Sequence, residues 1–287
     1  ISLGDLSHKV RVRSESDVLA ESVNVMADNL QAVVRQANSI VEGNYETQIV
    51  PQSDQDELGR ALKRMTEQLR AVTSENERRT WVKTAQTELN DLMRGEQAIN
   101  ELGRKTVSFL AHSVGALRGA IYMSYVGDDQ QKRLRLLATH AYTERKNLSD
   151  DFAFGERILG QAALERQRII IHDVPKDYMV IGSGLGETAP TAIMVLPCIY
   201  DDEVVAVVEL ATLGGFADHH LEFLDQVSDN IAVALQGTES RIRLAELFEQ
   251  TRHQADELRN QREALIRSNH ELEEQTEALR ASESRLE

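Results

Sequence analysis

The chain repeats its own N-terminal segment 39 residues later, and this duplication limits the possible folds more than any other feature. Asp17 and Met26 of the first copy correspond to Asp56 and Met65 of the second. The other matched positions, with no gap between them, are Gly4 and Gly43, Ser14 and Ser53, Leu19 and Leu58, Leu30 and Leu69, and Val33 and Val72. A chance similarity would not keep both the turn residues and the apolar spacing, so the sequence predicts an internal duplication.

Each copy predicts a connector followed by a helix that packs against a partner helix. Asp17 and Asp56 stand at the two helix starts, where a carboxylate accepts hydrogen bonds from free backbone N–H groups. After Asp17 the apolar residues are spaced alternately by four and three, at Leu19, Val23, Met26, Leu30, Val33, Ala37 and Ile40. This spacing is the a/d pattern of a coiled coil, and a strict 3.5-residue period predicts a partner helix.

The composition argues against a nucleic-acid-binding surface and a disulfide framework. The 47 acidic residues outnumber the 32 basic ones, giving a formal net charge of -15, whereas nucleic-acid surfaces carry basic stripes. The single cysteine, Cys198, lies in an apolar segment, where a buried and unreactive thiol is expected. No apolar run reaches the ~20 residues that span a bilayer. Since the chain starts at Ile1 and not at Met, we expect a piece of a longer protein with a membrane span upstream.

The segment 96–237 predicts an α+β domain. Its apolar spacing indicates helices at 96–113 and 158–167. The segments with strand character are 119–126, 133–142, 169–174, 191–200 and 203–212. A mostly antiparallel sheet of about five strands must then have one face covered by helices.

After Phe216 the chain predicts one long helix that ends as a coiled coil. Leucines recur every seven residues at 244, 258, 265, 272, 279 and 286, and Thr251 fills the missing place. This repeat predicts a parallel dimer with leucine at d, and Asn269 at an a position would fix the register at a cost in stability. The predicted coiled-coil residues are Leu244, Leu258, Leu265, Asn269, Leu272 and Leu279.

Three motifs suggest chemistry that their surroundings do not support. The glycine-rich stretch 182–187 precedes a strand and not a helix, so we expect a flexible pocket loop and not a phosphate cradle. His270 begins a short match to the phosphoacceptor box of histidine kinases, but Glu273 departs from that motif and a surface histidine is expected. His219 and His220 point to different sides of a helix and make a poor metal-binding pair. We therefore predict no catalytic residue, no metal and no evident cofactor.

The N-terminal repeat resembles two consecutive HAMP domains. The segments that carry the resemblance are "GDLSHKV" and "GNYETQI", each followed by a helix that begins at an aspartate. The "DELG" of the second copy is the specific part, because the first copy has Val18 and Ala20 where the second has Glu57 and Gly59. The resemblance implies a partial first HAMP domain at 1–36, which lacks its leading helix.

By the same resemblance, a second HAMP domain covers 28–78 and a linker helix follows at 79–95. HAMP domains are parallel, dimeric four-helix bundles that relay conformational signals, so the resemblance implies that the a/d residues face a second chain. The implied relay seam consists of Leu19, Val23, Met26, Leu30, Asp56, Glu57, Leu58, Leu62, Met65 and Leu69. A plain coiled-coil spacer is the alternative.

The segment 96–237 resembles a GAF domain in its order of elements and in the text "GERILGQAALERQRIIIHDVP". The helix that precedes it, 81–97, resembles the lead-in helix of GAF domains in hybrid sensor histidine kinases. The resemblance implies a pocket for an unidentified small molecule between the sheet and the segment 172–190. Its candidate polar groups are His172, Asp173, Tyr178 and Ser183. The alternative, a GAF domain that only dimerises, stays open.

Together the resemblances imply the signal-relay and sensory region of a bacterial two-component sensor histidine kinase, with 238–287 as its coiled-coil signalling helix. We expect a parallel homodimer on the cytoplasmic side of the inner membrane. A transmembrane segment would precede it, and a kinase core and a response-regulator domain would follow it. The alternative output is a cyclic-dinucleotide synthase or hydrolase, which the sequence beyond Glu287 would distinguish.

Overall fold

The computed structural model describes residues 5–14, 17–47, 49–51, 53, 55–141, 150–175, 181–183 and 186–283. The chain divides into two compact units, Ile1–Lys83 and Thr84–Glu287. The helices are α1 (Val18–Val41), α2 (Glu57–Met93), α3 (Ile99–Ser113), α4 (Arg157–Glu165) and α5 (Asp218–Glu283). The strands are β1 (Arg118–Val126), β2 (Lys132–His140), β3 (Asp151–Ala153), β4 (Ile169–His172), β5 (Ile181–Ser183), β6 (Gly186–Thr188), β7 (Ala192–Tyr200) and β8 (Glu203–Thr212). Within the described part of the chain, no helix combines the length and the apolar character needed to cross a membrane.

The two N-terminal copies make the same contact between connector and helix. In the first copy the side-chain amide of Gln31 donates to the backbone carbonyl of Leu6. In the second copy the guanidinium of Arg70 donates to the backbone carbonyl of Tyr45, with an Nε–O distance of 3.0 Å. The duplication pairs these same positions, Gln31 with Arg70 and Leu6 with Tyr45. The repeat therefore extends to the contacts that hold each connector on its helix, although a cation has replaced a neutral amide.

The caps of α1 and α2 differ in length. The Oδ1 atom of Asp56 accepts a hydrogen bond from the backbone N–H of Gly59 at 2.8 Å. In the first copy, Asp17 Oδ1 and the N atom of Ala20 are 3.3 Å apart. A Cβ atom on Gly59 would lie 2.3 Å from Asp56 Oδ2, closer than any real contact. With the Asp56 side chain in this position, residue 59 has no room for a Cβ atom.

The predicted relay seam is largely uncovered in the described residues. A neighbouring stripe of small residues is buried instead, namely Ala20, Ala27, Gly59 and Thr66. The exposed seam residues are Leu19, Met26, Glu57, Leu58 and Met65, and the half-buried ones are Val23, Leu30, Asp56, Leu62 and Leu69. Leu19 is 78% exposed, which is a high exposure for a leucine at a predicted a/d position.

The second unit is built on a six-stranded antiparallel sheet with the order β3-β2-β1-β8-β7-β4. The central strands β7 and β8 are almost continuously buried, because helices lie on both faces of the sheet. Asp201 and Asp202, with φ of 50° and 61°, form the turn between them. Two-residue hairpin turns require such left-handed conformations, which aspartate tolerates better than most residues.

Helices α3 and α5 cover one face of the sheet, and α4 lies on the other. On the first face Val107 and Leu210 approach Gly119. On the second face α4 comes so close to β3 that a Cβ on Gly160 would lie 2.2 Å from the carbonyl oxygen of Ala153. The small residue at position 160 thus sets the distance at which α4 packs.

The helix α5 changes its environment along its length. Its first part is buried against the sheet through Phe223, Leu224, Val227, Ile231 and Leu235. Thr238 is its last buried residue, and every described side chain beyond it is exposed. The exposed residues include the predicted coiled-coil positions Leu244, Leu258, Leu265, Asn269 and Leu272; Leu279 also belongs to α5, but its side chain lies outside the described part.

The α+β prediction is confirmed, but two details of the sheet differ from it. The main sheet has six strands and not about five, because β3 has only three residues and is too short for its alternation to be recognised. The predicted flexible loop at 182–187 instead contributes to a two-stranded hairpin, in which β5 pairs with β6. Pairing between glycine-rich strands is hard to predict, because glycine has no side chain that could show the alternation of a strand.

The cap geometry predicts the effect of Gly59→Ala. The new methyl group should open the Asp56 cap, which costs about 1 kcal/mol, and so cancel the similar gain that alanine normally brings to a helix. We expect little net change in unfolding free energy and much faster hydrogen exchange at the amide of residue 59. The exposed Ala61 supplies the control, because Ala61→Gly should cost about 1 kcal/mol without affecting that amide. Slow exchange at residue 59 in the alanine variant would contradict the cap assignment.

Candidate functional site

The face of the sheet that α4 covers, called here the α4 face, carries one continuous apolar cluster. Its strand members include Ala120, Tyr122, Ile193, Val195, Val207 and Ala211, and its helix members are Leu159, Ala162 and Ala163. Val174, just after β4, also packs into it, and Ile169 and Ile171 flank it. A polar group on this face is therefore conspicuous.

Glu209 stands in the middle of the α4 face. Because residues alternate between faces along a strand, it shares the face of Val207 and Ala211, two positions away on either side. Its direct cross-strand neighbours are Ala120 on β1 and Val195 on β7. Four aliphatic side chains thus surround the base of an ionisable one.

Glu209 is also the one residue of 204–212 that is not buried. Both edges of β8 are paired with neighbouring strands, so the exposed part of this half-buried residue belongs to its side chain. Burial raises the pKa of the Glu209 carboxyl from 4.5 to about 7, because desolvation disfavours the charged form. Within the described ranges no hydrogen bond or ion pair to this carboxyl is found.

Arg118 is a cation on the α4 face. It lies opposite Ala211, diagonal to Glu209, and it is 9% exposed. Arg118 has interactions of its own, and burial is the only cause of the shift in the Glu209 pKa. The two side chains therefore share a face without neutralising each other.

A second polar cluster lies between α3 and β2, on the opposite face of the sheet. The rings of His112 and His140 are 4.9 Å apart, and the Ser108 hydroxyl is 3.1 Å from His140 Nδ1. Burial, and then the neighbouring His112, lower the pKa of His140, which favours its neutral form. Among the hydrogen bonds of the described residues, no carboxylate joins the two rings.

Of the four residues predicted for the pocket, the described structure places the side chains of His172 and Asp173 only. His172 is exposed at the end of β4, and its pleat directs it away from the α4 face, which Ile169 and Ile171 flank. Asp173 is exposed in a left-handed conformation with φ of 55°. Ser183 ends β5, but its side chain is not described, and Tyr178 lies outside the described residues.

Sequence reasoning missed Glu209, the ionisable residue that does lie on the α4 face. The signal was present, because a glutamate interrupts an otherwise apolar run "VVAVVELAT" at 204–212. Charged residues are rarely buried unless they are paired or functional. Because the run was interpreted as a core strand, its one charged position was not considered as a site residue.

The other candidate groups are placed as follows. Cys198 is fully buried in β7, and burial, together with the charge of Asp229, raises the pKa of its thiol to about 12. It is therefore protonated at neutral pH and a poor nucleophile. His270 is exposed and lies 3.5 Å from Glu274. In the part of the chain that the structure describes, no three His, Cys, Asp or Glu residues are grouped so as to hold a metal ion.

The environment of Glu209 predicts an inverse dependence of stability on pH. Its folded pKa of about 7 exceeds the ordinary 4.5, so the folded state binds the proton more tightly and loses stability as pH rises through this window. Relative to Glu209→Gln, which cannot ionise, the wild type should lose at most about 3 kcal/mol of unfolding free energy between pH ~4.5 and ~7. Chemical denaturation at several pH values measures this difference.

Glu203, at the start of the same strand, is the matched control. A hydrogen bond from Lys132 lowers the pKa of Glu203, so its contribution to stability is present above the ordinary pKa and is lost as pH falls. The difference between wild type and Glu203→Gln should therefore change with pH in the opposite direction. Parallel pH profiles for Glu209→Gln and the wild type would show that the Glu209 carboxyl is hydrated.

Several solved structures are similar to part of this chain. The GAF domain of an Acinetobacter phosphoenolpyruvate-protein phosphotransferase matches with 11% identity and a TM-score of 0.46, over 56% of this chain and 97% of that chain. The corresponding domain from Coxiella burnetii matches with 15% identity and a TM-score of 0.46, over 56% and 95%. A free methionine-R-sulfoxide reductase from Neisseria meningitidis, in complex with its substrate, matches with 14% identity and a TM-score of 0.44, over 56% and 91%.

The sequence comparisons give one family match and no curated relative. No curated protein matches the chain. The family profile described as "GAF domain" matches residues 96–236, which begin just before α3 and end within the buried part of α5. This range agrees with the domain predicted at 96–237, and it includes all six strands of the main sheet. Residues 96–236 of this chain are therefore a GAF domain, a signalling or sensory module.

Proposed function

We propose that this chain is the signal-relay and sensory region of a two-component sensor histidine kinase. Conformational change would pass from a membrane input through two HAMP domains to the GAF domain and then along α5. The chain itself would be non-catalytic. It would lie on the cytoplasmic side of a bacterial inner membrane, with a transmembrane segment before it and a kinase core and response-regulator domain after it.

The observation that carries this proposal is the continuity of α5. One helix begins in the core of the GAF domain, where Phe223 and Ile231 are fully buried, and continues to Glu283 with an exposed leucine repeat. An exposed apolar seam of this spacing is stable in water when a second helix covers it. A 66-residue helix of this kind links the packing of the GAF domain directly to whatever follows it.

The second unit also contains a contact between incoming and outgoing helices. The side-chain amide of Asn230 on α5 donates to Asn90 on the last turns of α2, at 3.2 Å. Leu89 beside it is fully buried. A displacement of the end of α2 would therefore be felt by the buried part of α5, as a relay requires.

The N-terminal unit supports the proposal through its two uncovered seams. The repeated connector contacts and the repeated aspartate caps give two similar modules, and each leaves a/d residues such as Met26 and Met65 exposed. A parallel homodimer would cover these seams and the α5 seam at once. In this proposal Leu58, Leu62 and Met65 face the partner chain, and the cap at Asp56 sets the packing of the second module.

The proposal predicts a dimer that depends on the α5 seam. Light scattering at micromolar concentration should give twice the chain mass of 32.2 kDa. Leu258→Lys combined with Leu265→Lys should weaken the dimer by at least about tenfold, because two d positions would bring like charges together. Sedimentation equilibrium measures the change in dissociation constant.

The control variant adds the same charge to the same helix away from the seam. Asn260→Lys combined with Ala264→Lys places two lysines at f and c positions, both of which are exposed. This variant should dimerise like the wild type. A monomeric wild-type chain, or equal weakening by both double variants, would contradict the proposed parallel dimer.

A proline in α2 should uncouple input from output. Leu62→Pro removes a helix hydrogen bond and breaks the helix, at a cost of about 3 kcal/mol, whereas Leu62→Ala only shortens the side chain. In a fusion to an upstream sensor and a downstream kinase core, the proline variant should lose signal-dependent autophosphorylation and keep the thermal transition of the GAF domain. The alanine variant should still respond, and an unchanged response in the proline variant would refute the relay.

A further inference from the structure

Two histidines meet where α3 packs on β2, on the side of the sheet opposite to the α4 face. The ring centres of His112 and His140 are 4.9 Å apart, and the ring planes are inclined by 70°. Two imidazoles that share one tetrahedral ion have their centres about 5 Å apart, because each Zn–N bond is ~2.0 Å long. We propose that His112 and His140 together bind a divalent transition-metal ion of the class that prefers imidazole ligands.

Ser108 orients both rings through their Nδ1 atoms. The Nδ1 atom of His112 lies 2.7 Å from the backbone carbonyl oxygen of Ser108. Because a carbonyl can only accept, this Nδ1 carries the hydrogen, and Nε2 of the neutral ring keeps its lone pair. The Nδ1 atom of His140 lies 3.1 Å from the Ser108 hydroxyl, which can accept a hydrogen bond in the same way. Metal-binding histidines typically donate their second ring N–H to an oxygen atom, which fixes the ring.

The surroundings of the pair favour a cation and give it access. His112 is exposed and His140 is half-buried, so both rings reach solvent. His112 stands in the last turn of α3, where the partial negative charge of a helix C-terminus favours a cation. Burial, and then His112, lower the pKa of His140, and the neutral imidazole is the form that binds a metal.

The number and type of the ligands determine which ions fit. Among the described residues no third His, Cys, Asp or Glu joins the pair, so water would fill the other positions around the ion. Imidazoles suit Zn²⁺, Ni²⁺ and Cu²⁺, whereas Mg²⁺ and Ca²⁺ require oxygen ligands. A structural zinc site has four protein ligands. With only two, this pair should bind an ion that exchanges with the solution.

A bound ion would connect two elements that lie far apart in the chain. It would tie α3 to β2, and α3 also packs against α5. An ion that binds the folded state alone stabilises it, so the GAF domain should become more resistant to unfolding. The sequence predicted no metal, because no motif spacing relates a residue at the end of a helix to one at the end of the second strand after it. Binding at this pair does not require the proposed relay.

The test titrates Zn²⁺ into the full chain with isotope-labelled histidine, and Mg²⁺ serves as the control ion. NMR follows the ring signals of the eight histidines up to about 1 mM metal, which detects weak binding. Zn²⁺ should shift the signals of His112 and His140 together, at a lower concentration than those of the other histidines. Mg²⁺ should shift neither signal.

Three variants test the pair and the residue that orients it. Loss of an outer partner of a metal ligand typically costs ~10–100-fold in affinity, and loss of one of only two ligands should cost at least as much. His112→Gln and His140→Gln should therefore each weaken Zn²⁺ binding at least about tenfold at the ring that remains. Ser108→Ala keeps both ligands and should weaken binding about tenfold. His172→Gln removes an exposed histidine from the other edge of the sheet and should leave binding unchanged.

Several results would overturn the inference. They are no shift of either ring, a shift of one ring without the other, an equal response to Mg²⁺, and equal weakening by His172→Gln and His112→Gln. The titration of the wild type decides the question even where a variant does not fold. A chain that dimerises and responds through Leu62 without binding Zn²⁺ would overturn this inference alone and leave the proposed relay standing.

Discussion

The second unit depends on one constraint. A single helix, α5, carries two apolar surfaces, one packed against the sheet and one exposed. The sheet buries Phe223 and Leu235 on α5, while Leu258 and Leu265 on the same helix remain exposed. Because the helix is continuous from Asp218 to Glu283, the sheet fixes the rotation of the buried turns and therefore the direction of the exposed leucines. A change in how α5 packs against the sheet would therefore also change the direction of its exposed leucines.

The constraint connects the two faces of the sheet. Strand β8 contributes Leu210 to the side covered by α3 and α5, and it contributes Glu209 to the α4 face. Adjacent residues of one strand thus face α3 and α5 on one side of the sheet and α4 on the other. Close-packed interiors transmit displacement and do not absorb it, so a shift of β8 would be felt on both faces.

Most of the fold was predictable because its elements are long and strongly patterned. The strands at 192–200 and 203–212, and the helix that follows them, each satisfy one period over many residues. The three-residue strands β3, β5 and β6 could not be predicted, because their pairing depends on neighbours distant in sequence. The candidate site was missed for a related reason: the face that Glu209 shares depends on the register between β1, β8 and β7, which no local pattern encodes.

The difference between the two N-terminal copies has a physical consequence of the same kind. The copies keep their connector contacts, yet Gly59 allows a cap at 2.8 Å where Ala20 gives 3.3 Å. A short cap holds the first turn of α2 firmly, whereas a long one lets the start of α1 fray at lower cost. If both helices pair with a second chain through their seams, the first module is the more easily deformed. Under the proposed relay, a conformational change entering from the N-terminus would deform α1 before α2, and the cap at Asp56 would set how much of the change proceeds.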